Sequence, residues 1–145
     1  MAVPAAAYSA LAPRQSACFT SGAASYRIVP GADTPDFRIK IAGDSARPDL
    51  RMQLVDRAEI ADVVLVDDGS DEESGCGPSL RVRTVTVDAG ARRPDVTVAL
   101  TTDADAADYR LYVRSVRFSQ RDAMALLAAA WKAGGHRQMA AQTVR

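Results

Sequence analysis

Five aspartates recur at a regular spacing and are the side chains with the clearest potential for chemistry. Carboxylate oxygens that converge on one point bind divalent cations, so a ladder of aspartates could form a metal site. Each of these aspartates, however, follows a proline or an alanine and precedes an apolar run, a context in which aspartate usually bonds nearby backbone and closes a turn. We therefore expect a structural role. The five residues are Asp36, Asp49, Asp62, Asp95 and Asp108.

An acidic run at residues 67–75, DDGSDEESG, is a second candidate for cation binding. It lacks the alternating aspartate register of a helix–loop–helix calcium site, and charge runs usually face solvent. We therefore expect a solvated loop. The sequence also has no Gly-rich phosphate loop, nucleophile elbow or C-x-x-C motif. It therefore predicts no catalytic residues, no metal ligands and no cofactor.

The two cysteines, Cys18 and Cys76, are the candidate for a disulfide. An even number of cysteines in loop-like segments favours a bridge in an exported protein. Such a bridge would hold the N-terminal segment to the rest of the chain and contribute on the order of 4 kcal/mol through chain entropy. The alternative is two reduced thiols. The single histidine, His136, follows a double glycine near the C-terminus, which favours a surface residue over a general base.

The elements that must position these residues can be inferred from the spacing of the aspartates. Successive aspartates are thirteen residues apart within 36–62 and again within 95–108, which indicates an internal repeat. Apolar and polar residues alternate after each aspartate, as in Phe37, Ile39 and Ile41. Alternation with a period of two predicts a half-buried strand in each unit.

The run Val63–Val66 does not alternate, and we expect it at the centre of the sheet because it is apolar on both faces. Two further strands are expected at 26–29 and 80–87. The connections are about six residues long, whereas parallel crossovers usually need a dozen or more residues. We therefore predict antiparallel or mixed strand directions.

A helix is expected near residues 119–133. Ser119 is a suitable N-cap, Asp122 suits the first turn, and Gly134 and the glycine after it can end the helix. Apolar residues cover most faces of this segment, so it should pack against the sheet with Trp131 as its largest anchor. The predicted fold class is α+β, with one mixed or antiparallel sheet of six to seven short strands and one C-terminal helix packed on it.

We divide the 145 residues into an Ala/Ser-rich leader at 1–24, one α+β domain at 25–134 and a frayed tail at 135–145. The small residues of the leader are similar to the end of a secretory signal, which favours a periplasmic or secreted protein over a cytoplasmic one. Eighteen basic and eighteen acidic residues balance, which argues against nucleic-acid binding. No apolar run reaches the eighteen residues of a transmembrane segment.

The repeated phrase at 35–69 and 94–118 resembles short uncharacterised bacterial proteins built from tandem Ala-Asp-strand units of the ADxxVYxV type. This sequence departs from that pattern by Pro-Asp in three units, by the acidic insertion and by the Ala-rich terminal helix. The resemblance implies small sheets, knotted in some members, and favours mixed strand directions. It implies no activity and no catalytic residues.

These observations favour a non-catalytic exported or periplasmic domain that binds an unidentified protein or envelope partner. The alternative is a small enzyme with a carboxylate-based site that the sequence does not reveal. An exposed apolar patch or an open sheet edge would favour the binding domain, whereas a cleft containing carboxylates with strongly perturbed pKa values would favour the enzyme.

Overall fold

The computed structural model describes residues 18–21, 24–43, 47–67, 82–115 and 118–134. Part of the predicted leader belongs to the sheet, because Cys18–Ser21 forms a strand and the next strand starts at Ala24. The strands are β1 Cys18–Ser21, β2 Ala24–Ile28, β3 Phe37–Ala42, β4 Leu50–Leu54, β5 Val63–Asp67, β6 Val82–Val87, β7 Val96–Leu100 and β8 Tyr109–Ser115. A 3₁₀ turn at Ala58–Ile60 precedes β5, and the helix α1 spans Gln120–Gly134.

The sheet is built almost entirely from parallel strands, and the prediction of a mixed or antiparallel sheet of six to seven strands is wrong. The spatial order is β1-β2-β6-β3-β7-β4-β8-β5. The seven strands from β2 to β8 are all parallel and curl into a half-barrel. Among the described strands, only the short β1 runs antiparallel, and it pairs with β2 at one edge.

Short connections suffice for this parallel sheet because its strands are steeply staggered. Val98 of β7 is in register with Ile41 of β3 on one side and with Leu50 of β4 on the other. Leu50 therefore starts β4 level with the end of β3. β4 thus begins one strand away from the end of β3, and no return along the sheet is needed between them. The usual length required for a parallel crossover assumes such a return, which explains why the prediction of strand direction failed.

The strand β5 lies at the edge of the sheet, so the prediction that Val63–Val66 is central is also wrong. Val63 and Leu65 are fully buried on the face that packs on α1, whereas Val64 and Val66 on the other face are only half-buried. The non-alternating run was interpreted as a strand covered on both sides. In the fold, the second face of β5 is apolar without being fully covered.

The chain forms two blocks whose strands alternate across the sheet. The first block contains β2 to β5 and the second contains β6 to β8, and every parallel pair joins a strand of one block to a strand of the other. Equivalent core positions recur every thirteen residues within each block and are all at most 2 % exposed. They are Tyr26, Ile39, Met52 and Leu65 in the first block, and Val85, Val98 and Leu111 in the second.

The helix α1 packs on the sheet as predicted, and its bounds agree with the expected 119–133 to within a residue. Ser119 Oγ accepts a hydrogen bond from Asp122 N–H at 3.0 Å, and Asp122 Oδ2 accepts one from Ser119 N–H at 3.4 Å. This reciprocal capping box fixes the start of the helix. Residues 123–130 are all buried, because the curled sheet contacts α1 through β2, β3, β4, β6, β7 and β8.

Aromatic residues close the core near the antiparallel edge. The ring centroids of Phe19 and Tyr26 are 6.3 Å apart, and those of Tyr26 and Phe37 are 6.1 Å apart. The guanidinium of Arg83 lies 5.8 Å from the centroid of Phe37, within the range of a cation–π interaction. Burial raises the pKa of Tyr26, and the nearby charge of Arg83 opposes that shift.

Candidate functional site

The five repeated aspartates join neighbouring strands at the points where the strands begin. In each case, Oδ2 accepts a hydrogen bond from a backbone N–H of the adjacent strand, and we call these contacts the aspartate clamps. The pairs are Asp36 with Thr84 at 2.8 Å, Asp49 with Thr97 at 2.7 Å, Asp62 with Arg110 at 2.7 Å, Asp95 with Arg38 at 2.6 Å and Asp108 with Arg51 at 2.7 Å.

The clamps confirm a structural role for these aspartates but correct its nature. We expected each carboxylate to bond its own turn, whereas its partner lies 48 or 57 residues away in the other block. In four of the five, the aspartate's own N–H also donates to the carbonyl of the same partner residue, at 2.8 Å. Each carboxylate therefore extends a backbone ladder.

Among the described residues, no three acidic, histidine or cysteine side chains could jointly hold a metal ion.

Asp62 forms a salt bridge with Arg110 in addition to its clamp. The guanidinium of Arg110 lies 3.3 Å from Asp62 Oδ1. The side-chain hydrogen bonds from Arg110 lower the pKa of Asp62, its backbone N–H and its charge act in the same direction, and partial burial opposes them. A lowered pKa keeps the carboxylate ionised, which suits an acceptor for N–H groups and does not suit a general acid near neutral pH.

Several other predicted residues lie outside the part of the chain that the structure describes. The backbone of Cys18 pairs with Arg27 in β1 and β2, but the side chain of Cys18 is outside the description. Cys76, His136 and the acidic residues beyond Asp67 are outside it as well. The disulfide between Cys18 and Cys76 therefore stays a prediction, as does the solvated acidic loop.

An apolar groove lies at the C-terminal ends of three adjacent strands, β3, β7 and β4, facing the first turns of α1. It consists of two adjoining cavities of about 300 and 310 Å³ that share Leu54 and Leu100. We call it the Leu100 groove. The first cavity is completed by Ile41, Ala42, Gly43, Gln120, Arg121 and Met124, and the second by Gln53, Thr101 and Thr102.

Leu100 is unusual because it is 41 % exposed, although its position in the alternation matches that of core residues. Val96 and Val98, on the same face of β7, are fully buried. Leu100 comes after them at the end of the strand, where Gln120, Arg121 and Met124 of α1 line the groove without covering it. The alternation predicts Val96, Val98 and Leu100 to be equivalent, and the sequence carries no signal that separates them.

A polar recess of about 520 Å³ lies near the turn after β2 and includes Gly31, which has a φ of 66°. Two of its charged groups, Arg38 and Asp88, already bind each other. Arg38 Nη1 lies 3.3 Å from Asp88 Oδ2, and Arg38 Nη2 donates to the carbonyl of Asp33 at 3.3 Å. Asp88 Oδ1 also accepts from Gly90 N–H at 3.0 Å. These interactions stabilise the turns, which makes the recess a weaker candidate than the Leu100 groove.

Comparison with known proteins does not assign the chain to a family. No family model matches it, and no curated protein matches it either.

Proposed function

We propose that this protein is a non-catalytic binding domain that takes an apolar side chain of a partner protein into the Leu100 groove. The observation that carries the proposal is the 41 % exposure of Leu100 within a recess lined by Ile41, Leu54 and Met124. When a partner covers a large apolar side chain that is open to water, the free energy falls by about 25 cal/mol per Å² of buried apolar area. Exposed apolar surface at a concave site is typical of interaction sites.

The chemistry of the carboxylates supports binding over the alternative of a carboxylate-based enzyme. The five repeated aspartates are engaged with backbone N–H groups at the starts of strands. General acid catalysis near neutral pH calls for a carboxyl group with a raised pKa, whereas the pKa of Asp62 is lowered. The Leu100 groove itself is lined by apolar and neutral polar side chains, with Arg121 as its charged residue.

The proposal includes an exported or periplasmic location and an envelope or protein partner. It is supported by the small-residue N-terminal segment and by the even pair of cysteines, Cys18 and Cys76. The balance of eighteen acidic and eighteen basic residues favours a protein over a nucleic acid as the partner. Within the described residues, α1 does not have the length and hydrophobicity needed to cross a bilayer.

The test is a selection of random twelve-residue peptides on the purified protein, followed by affinity measurements with variants. We expect the selected peptides to carry a large apolar residue and to bind the Leu100→Ser variant at least about tenfold more weakly, a loss of about 1.4 kcal/mol. Ile60→Ser is the matched control, because Ile60 is also a large exposed apolar residue, at 36 %, and does not line the groove. Peptides whose affinity is indifferent to Leu100→Ser would contradict the proposal.

A further inference from the structure

The strand β5 has an open edge that could accept another strand. Among the described residues, β5 pairs with β8 on one side and with no strand on the other. Asp62 N–H donates to the carbonyl of Arg110 at 2.8 Å, and the carbonyl of Leu111 accepts from Val55 N–H at 2.9 Å, so alternate residues Arg110 and Tyr112 bond toward β5 while Leu111 bonds toward β4. Because Val64 is in register with Tyr112, the backbone bonds of Tyr112 go to Val63 and Leu65, and the N–H and C=O groups of Val64 and Val66 point away from β8.

This edge lacks the features that usually prevent strand addition. Natural edge strands are commonly protected by lysine, proline, a bulge or an inward-pointing charge. The first four residues of β5 are all apolar, and its register with β8 is continuous from Val63 to Asp67. Val64 and Val66 are half-buried on the face that does not pack on α1. An added strand would cover apolar surface as well as satisfy backbone groups.

The charge around β5 indicates which kind of strand would fit. Residues 56–67 contain four acids, namely Asp56, Glu59, Asp62 and Asp67, against one base, Arg57. Two guanidinium groups lie one strand further from the open edge, on β8: Arg110 is bound to Asp62, and Arg114 is in register with Val66. A second copy of this chain would place acids against acids, and opposed like charges destabilise a strand pair.

We propose that the open edge of β5 binds an extended segment of a partner protein, in which apolar residues alternate and lysine or arginine residues flank them. Main-chain hydrogen bonds to Val64 and Val66 would supply affinity, and the basic flanks would complement the acids on either side of β5. This inference uses residues that do not line the Leu100 groove, so it stands whether or not the proposed function is correct.

The test uses a capped heptapeptide of alternating valine and threonine with a lysine at each end, titrated into the full chain. Site-resolved amide hydrogen exchange is the readout. Saturating peptide is expected to slow exchange at the outward-pointing N–H of Val64 by about tenfold or more, with little change at the N–H of Leu65, which points to β8. The inference is overturned if the peptide leaves exchange at Val64 unchanged, or if the N–H of Val64 is already as protected as that of Leu65 without peptide.

Three controls separate the proposed mode from others. The same peptide with glutamate at each end should bind at least tenfold more weakly, and equal binding would overturn the charge preference. A peptide N-methylated at every amide should not protect the N–H of Val64, because neither of its edges can pair with β5. The Leu100→Ser variant should bind the lysine-flanked peptide with unchanged affinity. Weakened binding by that variant would place the peptide in the Leu100 groove and contradict the inference.

Discussion

At the starts of β3, β4, β5, β7 and β8, an aspartate carboxylate joins each strand to its neighbour. At the C-terminal ends of β3, β7 and β4, by contrast, apolar side chains stay half-buried or, at Leu100, exposed. The aspartates, which have the clearest potential for chemistry, are thus engaged in holding neighbouring strands together. The apolar surface that a partner could bind comes from leucines that the alternation predicts to be buried. In this chain, the regularly spaced aspartates hold the strands together. The candidate site lies where Leu100, which the alternation predicts to be buried, is exposed.

The largest effect is expected from separating the two blocks. All six parallel pairs and all five aspartate clamps join one block to the other. We therefore expect fragments 1–77 and 78–145 each to be unfolded alone, as measured by far-ultraviolet circular dichroism and denaturant titration. Cooperative unfolding of either isolated fragment would show that the clamped strand starts are not essential.

A smaller effect is expected from breaking one clamp. Asp62→Ala removes the acceptor for Arg110 N–H and should lower the free energy of unfolding by about 1 kcal/mol. Asp62→Asn keeps an oxygen acceptor and should cost less, which makes it the matched control. The measurement is urea unfolding of both variants beside the parent protein. Equal losses in the two variants would show that charge, and not the hydrogen bond to β8, is the main contribution.

The clamp at Asp62 should also depend on pH. Its pKa in the folded protein lies below the usual 3.8, so its stabilising contribution is present above that pH and is lost as the pH falls through the folded-state pKa. The effect should be well below 1 kcal/mol, because the side chain is 42 % exposed and screened by solvent. The stability difference between the parent protein and Asp62→Asn should therefore shrink between neutral pH and about pH 3. A constant difference over that range would contradict this.

The smallest effect on stability is expected in the Leu100 groove. Leu100→Ala should change the free energy of unfolding by less than about 1 kcal/mol, because the side chain is already largely exposed. Leu111→Ala is the matched control, since Leu111 is fully buried and its truncation should cost about 2–5 kcal/mol. Similar losses for the two variants in thermal unfolding would show that Leu100 is a core residue.

The sequence predicts the local elements well because their signals are local. Alternation after Asp36, Asp49, Asp95 and Asp108 locates four strands, and the Ser119–Asp122 capping box locates α1. Strand direction and order were wrong because alternation reports which face of a strand is buried and not which strand lies beside it. The partners of the aspartates were missed for the same reason.

The candidate site was missed because exposure at a strand end is a tertiary property. Leu100 has the same residue type and phase as the buried apolar residues of its strand, and its exposure depends on where α1 begins. Similarly, Val63–Val66 has the composition of a central strand, and only the alternation of the two blocks places it at an edge. No local pattern encodes either outcome.

The alternation of the two blocks has a consequence for the order of events during synthesis. The contacts that hold the sheet span 48 or 57 residues of a 145-residue chain, roughly a third of its length, and such non-local pairing is associated with slow folding. At roughly 5–20 residues per second, the ribosome releases β2 to β5 some seconds before their partners exist. The nascent first half therefore emerges as a set of apolar strands with no parallel neighbour to pair with, and a chaperone or a secretion channel that holds it extended would suit its maturation.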